Sequence, residues 1–407
     1  MSWLAAAGLA ASTWPLIFLC GWAARGRAAR GRSLGPGADE LSEAADALID
    51  GDSQSAAGLL ADALAALGGP RAAGRWEKED KGEGALSPDA ARLALVLGRL
   101  LRARGECGKA IELHERLAED RDLPKRRRDR AVFELGMDYR AAGLLDRAET
   151  QFERLLSSHL GRPARRALYD LHQADRDWKK AINVAHELST DSGALRIETA
   201  QLFCELGEAA LLRAQFDRAR EYCLAALNEN PKCARALLLT GDLELKRGRF
   251  AESAQAYETV EAVDPEYLAM AARGLLAACE GMGRPLEGLA KIVAYAERYP
   301  ALDLLRQARQ EALRLQGPLA ANELARRLAR MRPGADALAA LLAIDPPPSA
   351  GEEFCADWLF MRPLAERAAR ASGRHACKAC GFCAMDFSWR CPSCGRWETM
   401  APNKSAP

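Results

Sequence analysis

The sequence predicts an all-α protein: a superhelix of stacked helix hairpins, led by a transmembrane helix and closed by a small metal-binding module. Three observations carry this. Leucine, alanine, arginine and glutamate dominate and aromatic residues make up only 6%, a composition that favours helix over sheet. The middle of the chain repeats itself at a spacing of 34 residues. Its end holds two Cys-x-x-Cys-Gly motifs. At 407 residues there is room for two or three ordinary domains or one long repeat array. Charge is balanced, 57 basic against 56 acidic side chains, so no global field favours nucleic acid or a membrane surface.

Residues 2–24 carry no charge and run through Trp3, Leu4, Leu9, Trp14, Leu16, Ile17, Phe18, Leu19 and Trp22. As a helix the stretch spans about 34 Å, enough for a hydrocarbon core of about 30 Å. Pro15 can kink such a helix without forbidding it, and Trp3 and Trp22 sit near its two ends, where interfacial tryptophans belong. A cleaved signal peptide would carry its basic residues first, whereas here Arg25, Arg27, Arg30 and Arg32 follow the apolar run. The positive-inside rule then places the N-terminus outside and everything after Arg25 in the cytoplasm. Residues 1–24 are read as the anchor and 25–38 as a basic juxtamembrane segment.

The repeat array is read over 39–345. Asp217-Arg218-Ala219-Arg220-Glu221-Tyr222-Cys223, closed by Pro231, has the pattern of the second helix of a tetratricopeptide repeat. Gly207, Ala214, Ala219, Cys223 and Pro231 are answered 34 residues on by Gly241, Gly248, Ser253, Tyr257 and Pro265. Upstream, Leu97, Gly98, Gly105, Ala110 and His114 form one unit, and Leu135, Gly136, Tyr139, Gly143, Ala148 and Phe152 another. Leu168, His172, Ala181, Ala185 and Leu188 place a degenerate unit between them and Gly207. Gly283, Gly288, Ile292 and Pro300, then Gln316, Ala321, Ala325, Leu328 and Pro333, continue downstream, and a poor unit lies at 39–70. One unit alone is no more than an amphipathic helix pair; several in register are an array. Small residues let two antiparallel helices approach, larger ones fill the groove between hairpins, and proline ends each hairpin. The concave face of such an array binds protein segments and has no catalytic machinery of its own.

Interruptions are informative too. Residues 68–88, with Gly-Gly-Pro and interleaved Lys, Glu and Gly, read as a flexible insert. Lys125-Arg126-Arg127-Arg128 reads as a solvated turn, with a phosphate or lipid headgroup contact as the alternative. Pro346-Pro347-Pro348-Ser349 begins a stiff linker, and 346–371 is read as this linker plus a last helix.

The module is read over 372–400, followed by a tail, 401–407. Cys377-Lys378-Ala379-Cys380-Gly381 and Cys391-Pro392-Ser393-Cys394-Gly395 are separated by ten residues. In each knuckle the turn brings two sulfurs to one point, and the glycine lets the chain reverse at positive φ so that backbone N–H groups face the thiolates. Two knuckles with the same spacing and the same following glycine are not two unrelated thiol pairs. Cys377, Cys380, Cys391 and Cys394 are therefore the candidate ligands of one metal ion. A closed tetrahedral site suits structural zinc or a single rubredoxin-type iron and leaves no open position for substrate water. So short a module depends on metal and on packing against something larger. Met385, Phe387 and Trp389 alternate along a strand-like segment and are expected to pack it onto a neighbour, with Trp397 helping.

No Gly-rich phosphate loop, His-Glu-x-x-His pattern, Ser-elbow or paired-acid constellation occurs, so no enzyme is expected. His114, His159, His172 and His186 fall within repeat helices or at their ends, and His375 precedes a site that four cysteines already complete. Cys20, Cys107, Cys204, Cys223, Cys233, Cys279, Cys355 and Cys383 show no paired spacing, and most sit at apolar helical positions as small hydrophobes. Cys383 is the odd thiol, read as a simple substitution over a spare ligand or redox sensor. Tetrathiolate and unpaired cysteines together belong in a reducing compartment.

Anchor, repeats and knuckles in this order resemble the lipopolysaccharide assembly protein B family of Gram-negative bacteria. The likeness is most specific in Gly98-Arg99-Leu100-Leu101-Arg102-Ala103-Arg104-Gly105-Glu106, in Phe203-Cys204-Glu205-Leu206, and in the Cys-x2-Cys-x10-Cys-x2-Cys module with Gly381-Phe382 and Cys391-Pro392-Ser393-Cys394. Cys383 and the 68–88 insert depart from the family. The resemblance implies an inner-membrane protein with cytoplasmic tetratricopeptide repeats and a rubredoxin-type domain packed on them. It implies an adaptor working with the membrane protease FtsH to promote degradation of the deacetylase LpxC, and contacts with other membrane proteins of the lipopolysaccharide pathway. A homodimer is among the assemblies left open. Alternatives are a rubredoxin-type electron-transfer protein and a scaffold for lipopolysaccharide synthesis and transport proteins. A nucleic-acid-binding zinc ribbon is disfavoured: residues 361–407 hold eight basic and three acidic side chains, and four thiolates on a divalent metal remove part of that excess.

Overall fold

The computed structural model describes residues 38–66, 88–188, 193–299, 304–331, 333–346, 350–371, 375–384 and 386–402. The anchor, nearly all of the 25–38 segment and of the 68–88 insert, Cys20, Pro347 to Ser349, Met385 and the residues after Pro402 lie outside these. Among the described residues no helix is long and apolar enough to cross a membrane.

The chain divides into two compact units, residues 1–188 and 189–407. The first holds α1 (Ala38–Ile49), α2 (Ser53–Ala66), α3 (Pro88–Ala103), α4 (Cys107–Glu119), α5 (Lys125–Ala141), α6 (Leu145–Glu153), α7 (Gly161–Ala174) and α8 (Trp178–Leu188). The second holds α9 (Gly193–Leu212), α10 (Phe216–Glu229), α11 (Ala234–Lys246), α12 (Phe250–Val263), α13 (Leu268–Gly281), α14 (Pro285–Arg298), α15 (Leu305–Gln316), α16 (Pro318–Met331), α17 (Ala335–Leu342) and α18 (Glu352–Ala371). Strands β1 (His375–Cys377), β2 (Cys383–Ala384) and β3 (Met400–Pro402) follow. Within each unit every helix packs on its sequence neighbours. The first helices of successive hairpins also pack on one another: α3 on α5 on α7, and α9 on α11 on α13. This is an all-helical array of tetratricopeptide-like hairpins.

One steric rule sets the close approach within a hairpin. A glycine on the first helix faces a residue sixteen positions on, in the second helix: Gly98 faces His114, Gly136 faces Phe152, Gly207 faces Cys223 and Gly241 faces Tyr257. A Cβ at Gly136 would lie 2.6 Å from the Phe152 ring, and one at Gly241 2.5 Å from the Tyr257 ring. Tyr257 is also wedged against Gly274 of the next hairpin, and its hydroxyl donates to Asp242 Oδ1 at 2.5 Å. The chain then reverses through a left-handed residue, Gly248 (φ 73°) between α11 and α12 and Ala214 (φ 56°) between α9 and α10. An Ala there stores strain that glycine would not.

In the first unit a buried polar network stitches three helices. Arg102 reaches Glu134 Oε2 at 2.9 Å and Asp138 Oδ1 at 2.6 Å, Arg99 also pairs with Glu134, and His114 Nδ1 lies 2.5 Å from Asp138 Oδ2. Glu134, Asp138 and His114 are buried. Each charge keeps a partner, which is the condition for tolerating it out of water. The arginines of the Gly98–Glu106 stretch therefore join α3 to α5, and His114 holds α4 to the same carboxylate. His172 is likewise buried, as are Leu168, Ala181 and Ala185 of the α7/α8 hairpin.

Prediction from the steric rule: Gly241→Ala overpacks the Tyr257 ring and destabilises by about 1–3 kcal/mol. Gly207→Ala, whose Cβ would meet Cys223 Sγ at 3.6 Å, is neutral or stabilises by up to about 1 kcal/mol through helix propensity. Urea denaturation of the two variants side by side reads this difference.

Candidate metal centre

Both knuckles are built alike. Cys377 N–H donates to Phe382 O (2.8 Å) and Gly381 N–H to Cys377 O (2.9 Å). Cys391 N–H donates to Arg396 O and Gly395 N–H to Cys391 O, each at 2.9 Å. Gly381 (φ 74°) and Gly395 (φ 69°) take the left-handed conformation that closes each turn. β1, which carries Cys377, is the centre of an antiparallel sheet of order β2–β1–β3. Pairing of Ala376 with Cys383 and of Cys377 with Met400 ties the first knuckle to the end of the module. An isolated bridge, Arg390 to Trp397, closes the second knuckle.

Four sulfurs converge. The ligand atoms of Cys377, Cys380, Cys391 and Cys394 all lie within 4.8 Å of one another. Cys377 and Cys394 Sγ are 3.8 Å apart, and Cys380 and Cys391 Sγ 3.7 Å. A tetrahedral ion with bonds of about 2.3 Å to sulfur requires sulfur–sulfur edges of about 3.8 Å, whereas a disulfide would need about 2.05 Å. The donor set fits a tetrathiolate metal and not a pair of disulfides.

The electrostatics agree. Burial opposes ionisation of Cys377, but the Thr399 hydroxyl at 3.2 Å and the backbone N–H groups of Cys380 and Ala379 bring its thiol down to about 6. The Arg396 N–H favours the Cys394 thiolate, yet partial desolvation of this exposed residue's sulfur and the three neighbouring thiols push it up to about 11. Four thiolates this close repel one another, and a divalent cation at their centre removes that repulsion.

Cys377 and Cys391 are buried, Cys380 is half-buried and Cys394 is exposed. Cys383 is exposed, with its Sγ 3.5 Å from Gly381 O, and is not one of the convergent four. His375 packs edge-on against Phe387, ring centroids 5.4 Å apart, rather than joining the ligands. Cys204, Cys223, Cys233 and Cys279 are buried in the helical core, in keeping with their reading as small hydrophobes.

The module sits on the repeats of its own unit through aromatic contacts. Trp389 stacks on Tyr267, centroids 5.0 Å and planes 24° apart, and Phe387 meets both rings edge-on. Arg235 lies over the Trp389 ring at 5.5 Å. Gln201 donates to Glu398 at 2.5 Å, and Lys378 pairs with Glu266 at 2.8 Å. Phe387 and Trp389 thus pack as their alternation suggests, but the segment carrying them is not a strand. No strand pairing occurs at 386–389, between β2 and the Arg390 bridge, and the two rings lie perpendicular to each other to cover Tyr267. Trp397 is buried under the Arg390 guanidinium within the module. The receiving residues Gln201, Arg235 and Tyr267 were invisible to motif reading. The only local hint is an arginine at an apolar register of α11, held buried by Glu205 and Glu208.

Residues 375–402 match a family model described as a rubredoxin metal binding domain. Over 314 residues the chain is 29% identical to lipopolysaccharide assembly protein B of Escherichia coli strain K12, covering 76% of this chain and 80% of the relative. The chain is similar to lipopolysaccharide assembly protein B. The protein of that name in Haemophilus influenzae is 25% identical over 76% of this chain and 78% of its own length. Among solved structures, a tetratricopeptide repeat protein from Parabacteroides merdae aligns over 80% of this chain and 98% of its own, at 16% identity and a TM-score of 0.25.

Two outcomes test the centre. Thr399→Val removes the hydroxyl beside Cys377 and lowers metal affinity by about 10–100-fold, while Cys391→Ser lowers it further; competition against a chromophoric chelator measures both. Acidification weakens metal binding, because protons and metal compete for the same sulfurs, and an affinity that does not fall as the pH is lowered would contradict a tetrathiolate site.

Proposed function

We propose that this protein is a non-catalytic adaptor in lipopolysaccharide assembly. The observation that carries the reading is its similarity, over three quarters of its length, to proteins named lipopolysaccharide assembly protein B. That similarity is joined here to a repeat array and to a tetrathiolate module packed on it. In this reading residues 1–24 anchor the chain in the bacterial inner membrane with the N-terminus periplasmic, and the repeats and metal module face the cytoplasm. The repeat surface takes up the deacetylase LpxC beside the membrane protease FtsH, and so restrains lipopolysaccharide synthesis. The four cysteines hold zinc or iron as a structural ion that fixes the module on the repeats.

What supports a structural ion is the absence of an open ligand position in a four-sulfur site and the use of the module's aromatic residues for docking. A second reading, one-electron transfer, is favoured by the rubredoxin description of residues 375–402. The colour of the purified protein separates the two: stoichiometric colourless zinc removes electron transfer, and a red iron form that cycles reversibly supports it.

The half-life of LpxC in cells tests the adaptor. Depleting this chain should lengthen it severalfold, and replacing Cys391 and Cys394 together by serine should do the same while leaving membrane insertion intact. An unchanged half-life on depletion would overturn the adaptor reading.

A further inference from the structure

Along one edge of the first unit the charge balance of the chain breaks down. Segments 120–130 and 159–166 hold nine basic side chains against three acidic ones, in a protein whose net charge is +1. The fold brings the two segments together. α5 packs on α7, and His159, two residues before α7, lies 3.4 Å from Asp129 near the start of α5. Both helices therefore begin at the same edge. Neither start is built for helix stability: the first turns hold no acidic residue, and neither Pro124 nor Leu160 caps its helix with a side chain. Lys125, Arg126, Arg127, Arg128 and Arg162 instead stand at ends whose dipole disfavours cations.

Only part of this charge is answered inside the protein. Arg130, Arg165 and Arg166 pair with Glu134, Glu187 and Asp170 of the repeats. Arg128 donates to the Arg121 carbonyl at 3.0 Å, which leaves its charge unneutralised, and Arg127 Nη1 is buried with no hydrogen-bond partner. Arg121, Lys125, Arg126 and Arg162 are exposed and form no ion pair among the described residues. Asp120 and Asp122, in the turn before α5, offset part of the excess. A row of cations on long stems, spread over the ends of two helices, suits a surface of diffuse negative charge. We propose that this edge lies against the anionic phospholipid headgroups of a membrane, its lysine and arginine stems reaching the phosphates. The inference rests on the anchored reading. The proposed anchor ends at residue 24 and the first helix of this unit begins at Ala38, so at most about 50 Å of chain separates them. That tether holds the edge near headgroups at high effective concentration, which a soluble acidic partner lacks.

The test uses the full chain in nanodiscs, either of phosphatidylcholine alone or of equal parts phosphatidylcholine and phosphatidylglycerol. Acetic anhydride modifies exposed amines, and mass spectrometry reads Lys125 against Lys232, an exposed lysine of the second unit. The anionic discs should slow acetylation of Lys125 severalfold relative to Lys232, and raised salt should restore it. Arg126→Glu combined with Arg162→Glu, both at exposed positions, should abolish the slowing. Equal rates in the two discs, or slowing that survives the double variant, would overturn the assignment. So would the same slowing produced by soluble polyglutamate or tripolyphosphate over phosphatidylcholine discs. Co-elution with phosphatidylcholine discs reports the anchor separately. Should the anchor fail, salt-sensitive co-elution with the anionic discs, lost in the double variant, still supports the edge, and its absence overturns it. The half-life of LpxC bears on neither result.

Discussion

A segment as short as residues 375–402 cannot bury enough apolar surface to stay folded by itself. Its own buried cluster is little more than Cys377, Cys391 and Met400. The convergence of four sulfurs is therefore the constraint on which this end of the protein depends. It sets the path of both knuckles, and the loop between them carries Phe387 and Trp389 to Tyr267. Those two rings extend the core around Tyr257, Tyr267 and Leu268, so the module and the helices of α11 to α13 share one hydrophobic mass. An ion that held the four sulfurs together would also hold Trp389 against Tyr267.

The repeats obey a second constraint, complementarity between absent and large side chains. Phe152 and Tyr257 fit because Gly136 and Gly241 supply no Cβ, and the hairpin with the smaller Cys223 has room to spare at Gly207. His114 occupies the same position facing Gly98, but as a polar ring it brings Asp138, Arg102 and Glu134 with it. One hairpin position is thus filled by packing alone in some repeats and by a buried ionic network in another.

Much of this was legible in the sequence. The all-helical repeat followed from Gly207 and Gly241, Cys223 and Tyr257, Pro231 and Pro265 recurring in register, because hairpin packing is local and periodic. The four convergent cysteines followed from spacing, because a knuckle is a turn of five residues. The docking face did not follow. Gln201 meets Glu398 across nearly two hundred residues, and no period links α9 to the last turn of the module. Arg235 belongs to no motif, and the partners that bury it, Glu205, Glu208 and the Trp389 ring, come from other elements. The expected strand between the knuckles failed for a related reason: alternation of Phe387 and Trp389 reports a shared target, Tyr267, which two perpendicular rings reach without strand pairing.

The central claim is that the metal centre orders the repeat surface on which it sits. Hydrogen exchange of the full chain, metal-loaded and then stripped with a chelator, tests it most directly. Loss of protection in residues 375–402 together with the turn and first part of α13, residues 264–275, while α3 to α8 remain unchanged, is the predicted result. Unchanged exchange at 264–275 after complete metal removal would contradict it.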